Sequence, residues 1–479
     1  MRPTSSSAPR RVLTVCLAAG VTTLLDQAVL TIAVPSLRQS LGASAGDVQW
    51  IVSGYSLAFG LTLVPGGRLG DVRGRKHLFL AGLSLFLVCA LIAATGTRAE
   101  TVIAARLLQG AGAGLVNSQV IGTIQDVFQG QERARALGWY AVTGGVSAAL
   151  GPALSGLLVT LCGGGTGWRL CLLLSTPCGL VTLWLAARRL PKPARTAPDG
   201  GLDPLGLLCV AALTLSAMLP FITGGPPLAW LAAALVSAAA LALSQRLRVR
   251  RGRAPLIHPA LTRSPRYGLG TLVAMAQFGS SMAGTVVLAL FLQSGLGLSA
   301  LTAAGITALG AASMGVSSAV AWRVVRRLGD RTVTVGLTLG ALTLLAEALA
   351  ATVLSPAALP YALAALQLSS GAASGLAVSP NQARVLHHAP AEAAGVAGGI
   401  LQMTQRVSAA VCLSAVTGIY LRGASEEPRR AFAEACLVCA GLLAVAVGVC
   451  LGLPRTGGGT GARVAGEAGV EGRASREGV

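Results

Sequence analysis

The chain has 479 residues, of which 53% are hydrophobic and only 11% charged, and its mean hydropathy is +0.69. Globular proteins carry roughly 25% charged residues, so this sequence has too little polar material to coat soluble domains. The net charge of +20 does not indicate nucleic-acid binding, because the basic residues lie between apolar runs instead of forming one basic face. We therefore expect a multi-pass membrane protein surrounded by membrane lipid, with no nucleic-acid partner.

Apolar runs of bilayer length recur along the whole chain. They predict fourteen helices, with approximate bounds 12 to 34, 49 to 67, 78 to 96, 101 to 122, 136 to 160, 168 to 187, 204 to 222, 227 to 245, 267 to 293, 299 to 322, 332 to 352, 358 to 380, 394 to 419 and 431 to 453. The first run indicates a retained span and not a cleaved signal peptide, because it exceeds about 20 residues and contains Asp26. The polar, glycine-rich tail from 454 to 479 is expected to be disordered.

Positive charge is distributed unevenly between alternate loops. With the N-terminus inside, the inward segments carry 29 Lys and Arg residues and the outward segments carry 6. Because cytoplasmic loops are enriched in Lys and Arg, both termini are predicted to be cytoplasmic, in a bacterial cell membrane. The two remaining basic residues, Arg106 and Arg406, fall inside predicted spans.

The predicted helices form two sets of six with an extra pair between them. The loop from Gly67 to Lys76 follows the second helix, and a weaker echo from Arg326 to Arg331 follows the tenth. The segments are an N-terminus, an N-terminal half, a linker with two additional helices, a C-terminal half and a tail, at 1–11, 12–187, 188–266, 267–453 and 454–479. Two similar halves imply a cavity at their interface and a rocking motion that exposes it alternately to each side.

Several motifs resemble those of the major facilitator superfamily, in its fourteen-helix drug:proton antiporter branch. The loop after helix two reads Gly67-x-Leu69-x-Asp71-x-x-Gly74-Arg75-Lys76, which is similar to the superfamily's loop between helices two and three. Further similarity lies in Arg106-x-x-Gln109-Gly110 of helix four and Gly151-Pro152-x-x-Ser155-Gly156 of helix five. The helix-five motif differs from the antiporter pattern at Ser147 and Ser155, where the family usually has glycine. The resemblance implies an all-α membrane fold and export driven by a proton gradient.

Two groups of residues would carry the mechanism. Gly67, Asp71, Gly74 and Arg75 are candidates for a charged latch that stabilises one conformation, the alternative being simple anchoring by positive charge. Asp26 and Arg106 lie at compatible depths, and they would pair if helices one and four adjoin, as the resemblance implies. We expect a proton on Asp26 to release Arg106 and to disfavour a cationic cargo, while a purely structural ion pair stays an open alternative. Gly151, Pro152 and Gly156 form the antiporter-type motif of helix five, where Pro152 predicts a bend at which helices shift or, alternatively, a packing kink without a transport role.

Polar residues inside other spans are candidates for the substrate cavity. They are Gln27, Tyr55, Gln119, Gln367, Gln402 and Arg406, and each could equally form a hydrogen bond between helices. Glu347 is a second candidate acid for proton or cation binding, although we expect its side chain to extend to the membrane interface instead. Neither lysine fits a phosphate-binding loop and no metal-ligand cluster is visible, so we expect no metal and no cofactor besides the proton gradient.

The sequence thus favours a transporter, not an enzyme. The first interpretation is a proton-coupled exporter of drugs or antibiotics, working as a monomer on a small amphipathic substrate. The second is a dedicated exporter of one endogenous metabolite or of a self-made antibiotic. A membrane-embedded transferase is a remote third, because no polar catalytic constellation is visible at either interface.

Overall fold

The computed structural model describes residues 7–191, 203–390 and 393–452, and within these ranges the chain is built of helices. They are α1 Ser7–Leu41, α2 Ala45–Arg73, α3 Arg75–Thr95, α4 Ala99–Val127, α5 Gly130–Leu173, α6 Thr176–Arg189, α7 Pro204–Thr223, α8 Pro227–Arg250, α9 Pro259–Arg263, α10 Pro265–Leu290, α11 Ala300–Leu328, α12 Arg331–Val353, α13 Leu359–His387, α14 Ala394–Gly423 and α15 Pro428–Gly452. A short π-helical turn, Phe291–Gly295, continues α10. The predicted disordered tail and residues 192–202 of the linker lie outside the described residues.

The all-helical prediction is confirmed, with one difference in how the chain divides. Helix α5 runs through Gly163, whose φ of 75° and ψ of 158° are not helical, so the chain turns there from one span into the next. The run predicted as one helix from 168 to 187 is consequently shared between α5 and α6, with a break at 174–175. Glycine suits this bend because a side chain would disfavour the positive φ.

Twelve spans in the described ranges are long and apolar enough to cross a membrane. Helices α4 and α14 match them in length but are not among these twelve. Helix α4 packs against α2 and α3, and α14 against α2 and α10, so their polar side chains lie between helices and not in lipid. The total of fourteen spans and the position of both termini stay predictions.

The same packing scheme occurs twice. Helix α1 packs on α5 and α2 on α4, just as α10 packs on α14 and α11 on α13. The two sets then meet through α2 with α14 and through α5 with α11, which are equivalent pairs under an approximate two-fold axis. Helix α7 packs against α14 and α2, beside the interface between the two sets. Helix α8 packs on α7 and is largely exposed.

Hydrophobic packing closes one end of the interface between the halves. The largest apolar cluster includes Val34 and Leu37 near the end of α1, Ile51 near the start of α2, and Leu290 and Ala300 from the second set. A separate cluster, with Phe79 and Phe86, belongs to the first set alone. The halves therefore share one core at the end of α1, which the charge pattern assigns to the outer side.

Candidate functional site

The buried ion pair between α1 and α4 lies at the centre of the N-terminal half. Arg106 Nη1 donates to Asp26 Oδ2 at 2.7 Å, and Gln109 Nε2 donates to Asp26 Oδ1 at 3.0 Å. Both charged side chains are almost completely inaccessible, at 1% and 0% exposure. Since one Arg106 nitrogen also donates to Gln109 Oε1 at 2.8 Å, the three side chains form a closed network in which opposite charges compensate.

Tyr55 completes this network from α2. Its ring lies 4.2 Å from the Arg106 guanidinium carbon, and its hydroxyl donates to the Thr23 carbonyl oxygen at 3.4 Å. A small cavity of about 20 Å³ reaches Tyr55 and Arg106. That volume suffices for roughly one water molecule beside Arg106.

A larger cavity of about 320 Å³, the central cavity, lies between the two halves. Its lining shares Gln27, Thr31 and Met282 with the small cavity. The remaining polar lining consists of uncharged side chains and one arginine: Gln277, Ser281, Thr285, Thr307, Gln367, Ser370, Ser374, Gln382 and Arg406. Apolar groups such as Leu24 and Phe278 complete it, so the cavity suits an amphipathic guest.

Three of the candidate cavity residues line the central cavity and three do not. Gln27, Gln367 and Arg406 line it, and Arg406 Nη1 donates a short hydrogen bond to Gln27 Oε1. Tyr55 lies under Arg106, and the lining does not include Gln402. Gln119 is buried between α4 and α2, where its Nε2 donates to the Gly66 carbonyl oxygen at 2.7 Å.

The helix-five motif makes two close approaches. A Cβ on Gly151 would lie 3.1 Å from the Val29 backbone nitrogen, just after Asp26 and Gln27 on α1. A Cβ on Gly156 would lie 2.8 Å from the Ala300 carbonyl oxygen, on α11 of the other half. Pro152, between them, lines the central cavity. This short segment therefore contacts both halves and the cavity.

The expectation that Glu347 extends to the membrane interface is wrong, because its side chain is buried. It is 3% exposed on α12, where it accepts a hydrogen bond from Gln367 Nε2 at 2.9 Å and contacts Cys436 Sγ at 3.9 Å. No salt bridge involves it among the described residues. It faces a side pocket of about 60 Å³ that adjoins the central cavity through Gln277 and Gln367.

The loop between α2 and α3 forms a charge cluster at the end of these helices that the charge pattern predicts to face inward. Arg75 pairs with Asp71 at 2.6 Å and with Asp126, at the end of α4, also at 2.6 Å. Gly74, with φ of 93°, allows the reversal between the two helices, and a Cβ on Gly67 would have nothing within 4 Å. The cluster thus joins three helices of one half.

Three residues with polar or cavity contacts were not predicted from the sequence. Asp126 carries no motif of its own, and Phe278 is one apolar residue among many in its span. Asp203, just before α7, is buried and accepts hydrogen bonds from Gln245 Nε2 at 2.7 Å and the Leu256 backbone at 3.0 Å. Burial raises the pKa of this carboxyl, but these bonds, the Gly206 amide and Arg248 together hold its pKa below the usual value.

Two similar helical sets around a polar cavity, with a buried ion pair beside it, define a multi-pass membrane protein built of two repeated halves. The family model described as Major Facilitator Superfamily matches residues 16–413. The chain belongs to the Major Facilitator Superfamily, and it is a multi-pass protein of the bacterial cytoplasmic membrane.

Relatives and solved structures agree with this assignment. The chain is 37% identical to the "Probable actinorhodin transporter" of Streptomyces coelicolor, over 61% of this chain and 51% of that protein. It is 33% identical to the "Cephamycin export protein CmcT" of Amycolatopsis lactamdurans, over 63% of each chain. It thus spans less than two thirds of the length of these two relatives.

A third relative is matched over a larger share of its length. The "Methylenomycin A resistance protein" of Streptomyces coelicolor is 30% identical over 87% of each chain. Among solved structures, the xylose transporter XylE from E. coli, in a partially occluded inward-open conformation, aligns with a TM-score of 0.64 at 13% identity, over 95% of this chain and 100% of that one. This structural similarity supports the fold.

Proposed function

We propose that the protein is a proton-driven exporter of drugs or antibiotics that binds its substrate in the central cavity. The observation that carries this proposal is the position of Gln27, which lines the cavity while its neighbour Asp26 holds the buried Arg106. Three relatives whose names refer to antibiotic transport, export or resistance support the substrate class.

Coupling follows from the chemistry of this pair. When Asp26 takes up a proton, its side chain loses its charge and Arg106 is left buried without a counter-ion. The contacts between α1 and α4 then weaken, and Gln27 moves with α1. Because proton and cargo act on neighbouring residues of one helix, binding of either changes the affinity for the other.

Gly156 provides the movable contact between the halves. Its close approach to α11 requires the absence of a side chain, so α5 and α11 can close tightly there and separate in the opposite state. The charge cluster around Arg75 would hold the inner ends of α2, α3 and α4 together as one body during that movement.

Everted membrane vesicles energised by respiration test the proposal. We expect uptake of one or more members of a panel of lipophilic antibiotics and dyes, abolition by a protonophore, and cargo-induced proton release. Asp26→Asn should reduce uptake to background, because the variant cannot gain or lose the proton. Glu100→Gln, which changes an exposed acid in the first turn of α4, is the matched control and should transport normally. Uptake that persists in Asp26→Asn at equal expression would contradict coupling through this residue.

A dedicated exporter of one compound is the second candidate. The names of the relatives favour it, because each refers to a single antibiotic. Transport of one panel member with rejection of chemically related ones would support it over a multidrug exporter.

A further inference from the structure

The central cavity has one charged side chain in its described lining, and that charge is positive. This side chain is Arg406, which forms no salt bridge with any described acid. A guanidinium carries five N–H donors, and the hydrogen bond to Gln27 Oε1 occupies only one nitrogen. Arg406 therefore presents donors to the cavity that lack an acidic acceptor.

A second donor lies beside it. Gln27 Nε2 is buried and has no hydrogen-bond partner within the part of the chain that the structure describes. Since the amide oxygen of Gln27 accepts from Arg406, its nitrogen belongs to the same polar group. Buried donors of this kind are normally satisfied, so an acceptor supplied by a ligand is a simple way to complete the site.

Aromatic rings fix the guanidinium and shape the site. The guanidinium carbon of Arg406 lies 4.3 Å from the ring centre of Phe59 and 5.2 Å from that of Phe278. Phe59 is buried in α2, whereas Phe278 also lines the central cavity. A flat apolar ligand could pack against Phe278 while its polar end reaches Arg406.

We propose that Arg406 and Gln27 bind an acidic oxygen of the transported molecule, a carboxylate or phenolate on a flat apolar body. A planar guanidinium with an adjacent N–H donor matches such a group by charge-assisted hydrogen bonds. A cationic cargo, which the coupling scheme drawn from the sequence considers, would instead meet a positive charge. The inference rests on the proposed function, since it names the substrate class of the same cavity.

A second buried residue near the central cavity, Glu347, is the alternative site for a charged ligand. Glu347 faces the side pocket, and its hydrogen-bond partners, Gln367 and Cys436, are neutral. A basic ligand could place its ammonium group there. The Asp26 carboxylate does not compete, because Arg106 and Gln109 occupy both of its oxygens.

Binding of three probes that share one ring system tests the proposal. The full-length protein in lipid nanodiscs is titrated with 2-naphthoate, its neutral methyl ester and 2-naphthylmethylammonium. We expect the carboxylate to bind at least about tenfold more tightly than either of the others, since a charge-assisted pair replaces unsatisfied donors. The inference would be overturned if the ammonium compound bound as tightly as the carboxylate or more tightly, or if none of the three probes bound.

Two variants assign the effect to the proposed residues. Arg406→Gln should weaken naphthoate binding about tenfold and leave the ester unchanged, while Arg406→Lys should retain part of the preference. Gln27→Glu supplies an internal carboxylate to Arg406 and should abolish the preference for naphthoate without removing any charge from Arg406. Monodisperse elution of each variant controls for folding. Unchanged naphthoate affinity in both Arg406→Gln and Gln27→Glu would refute the site.

The vesicle experiment separates the two proposals. If gradient-driven export occurs but cations are preferred, the proposed function stands and the acidic-substrate inference is wrong. If naphthoate binding depends on Arg406 but nothing is exported with the proton gradient, the binding site stands and the proposed function is wrong.

Discussion

The two halves of the molecule treat buried charge differently. In the N-terminal half, Asp26 and Arg106 compensate each other and Gln109 satisfies the remaining carboxylate oxygen. In the C-terminal half, Glu347 and Arg406 each contact neutral partners within the described residues. A paired charge is stable without a ligand, whereas an uncompensated buried charge depends on a proton, water or a ligand. The N-terminal half therefore holds a self-compensated ion pair, whereas the C-terminal half holds buried charged groups that a proton or ligand can still bind.

Breaking the pair in the N-terminal half should have the largest effect. Asp26→Asn leaves Arg106 buried without a counter-ion, which should lower the free energy of unfolding by about 3–5 kcal/mol. The double variant Asp26→Asn with Arg106→Gln removes both charges and should recover most of that loss while staying inactive in transport. Thermal unfolding in detergent measures the stability of both variants. A double variant as unstable as the single one would show that the charge imbalance is not the cause.

Filling the contact between the halves should have the next largest effect. Gly156→Ala places a Cβ 2.6 Å from the Ala304 Cβ and should cost about 1–3 kcal/mol through overpacking, with reduced transport. Gly145→Ala on the same helix is the matched control, because its Cβ would have nothing within 4 Å. Thermal unfolding and vesicle uptake of the two variants give the comparison. Equal stability and equal uptake of the two variants would show that Gly156 has no special role in the contact between α5 and α11.

Asp203 offers a smaller, pH-dependent effect outside the spans. Because the folded state lowers the pKa of this carboxyl, its ionised form stabilises the protein above the unfolded pKa of about 4, and this contribution is lost as pH falls through the folded value. Asp203→Asn should cost about 1 kcal/mol at pH 7 through weaker hydrogen bonds. The difference in melting temperature between the variant and the native protein should shrink below pH 4. A difference that is constant with pH would contradict this account.

Neutralising the acid of the C-terminal half should have the smallest effect on stability. Glu347→Gln keeps an oxygen that accepts from Gln367 and removes no ion pair in the described chain, so the change should stay below about 1 kcal/mol. The contrast with Asp26→Asn is the direct check of the comparison between the halves. Thermal unfolding of the two single variants measures it, and a loss as large as that of Asp26→Asn would reveal an ionised, compensated Glu347.

Parts of the candidate site could be predicted because they depend on depth and motif. Asp26 and Arg106 lie at matching depths from one membrane surface, so their meeting required only that α1 and α4 adjoin. Gln119 shows the limit of this reasoning, because its side chain turns towards Gly66 on α2 and away from the cavity. A polar residue in a span indicates a polar neighbour but does not identify which neighbour it is.

The sequence by itself determined the apolar runs and the charged loop after the second helix, and its positive charges predicted an orientation, since each depends on local composition. Only the tertiary structure decided that Glu347 is buried, that Arg406 contacts Gln27 from the other half, and that Phe278 faces the cavity. The physical reason is that the rotation and tilt of each helix are set by packing against its neighbours. Side chains from distant parts of the chain therefore meet in an arrangement that no single segment encodes.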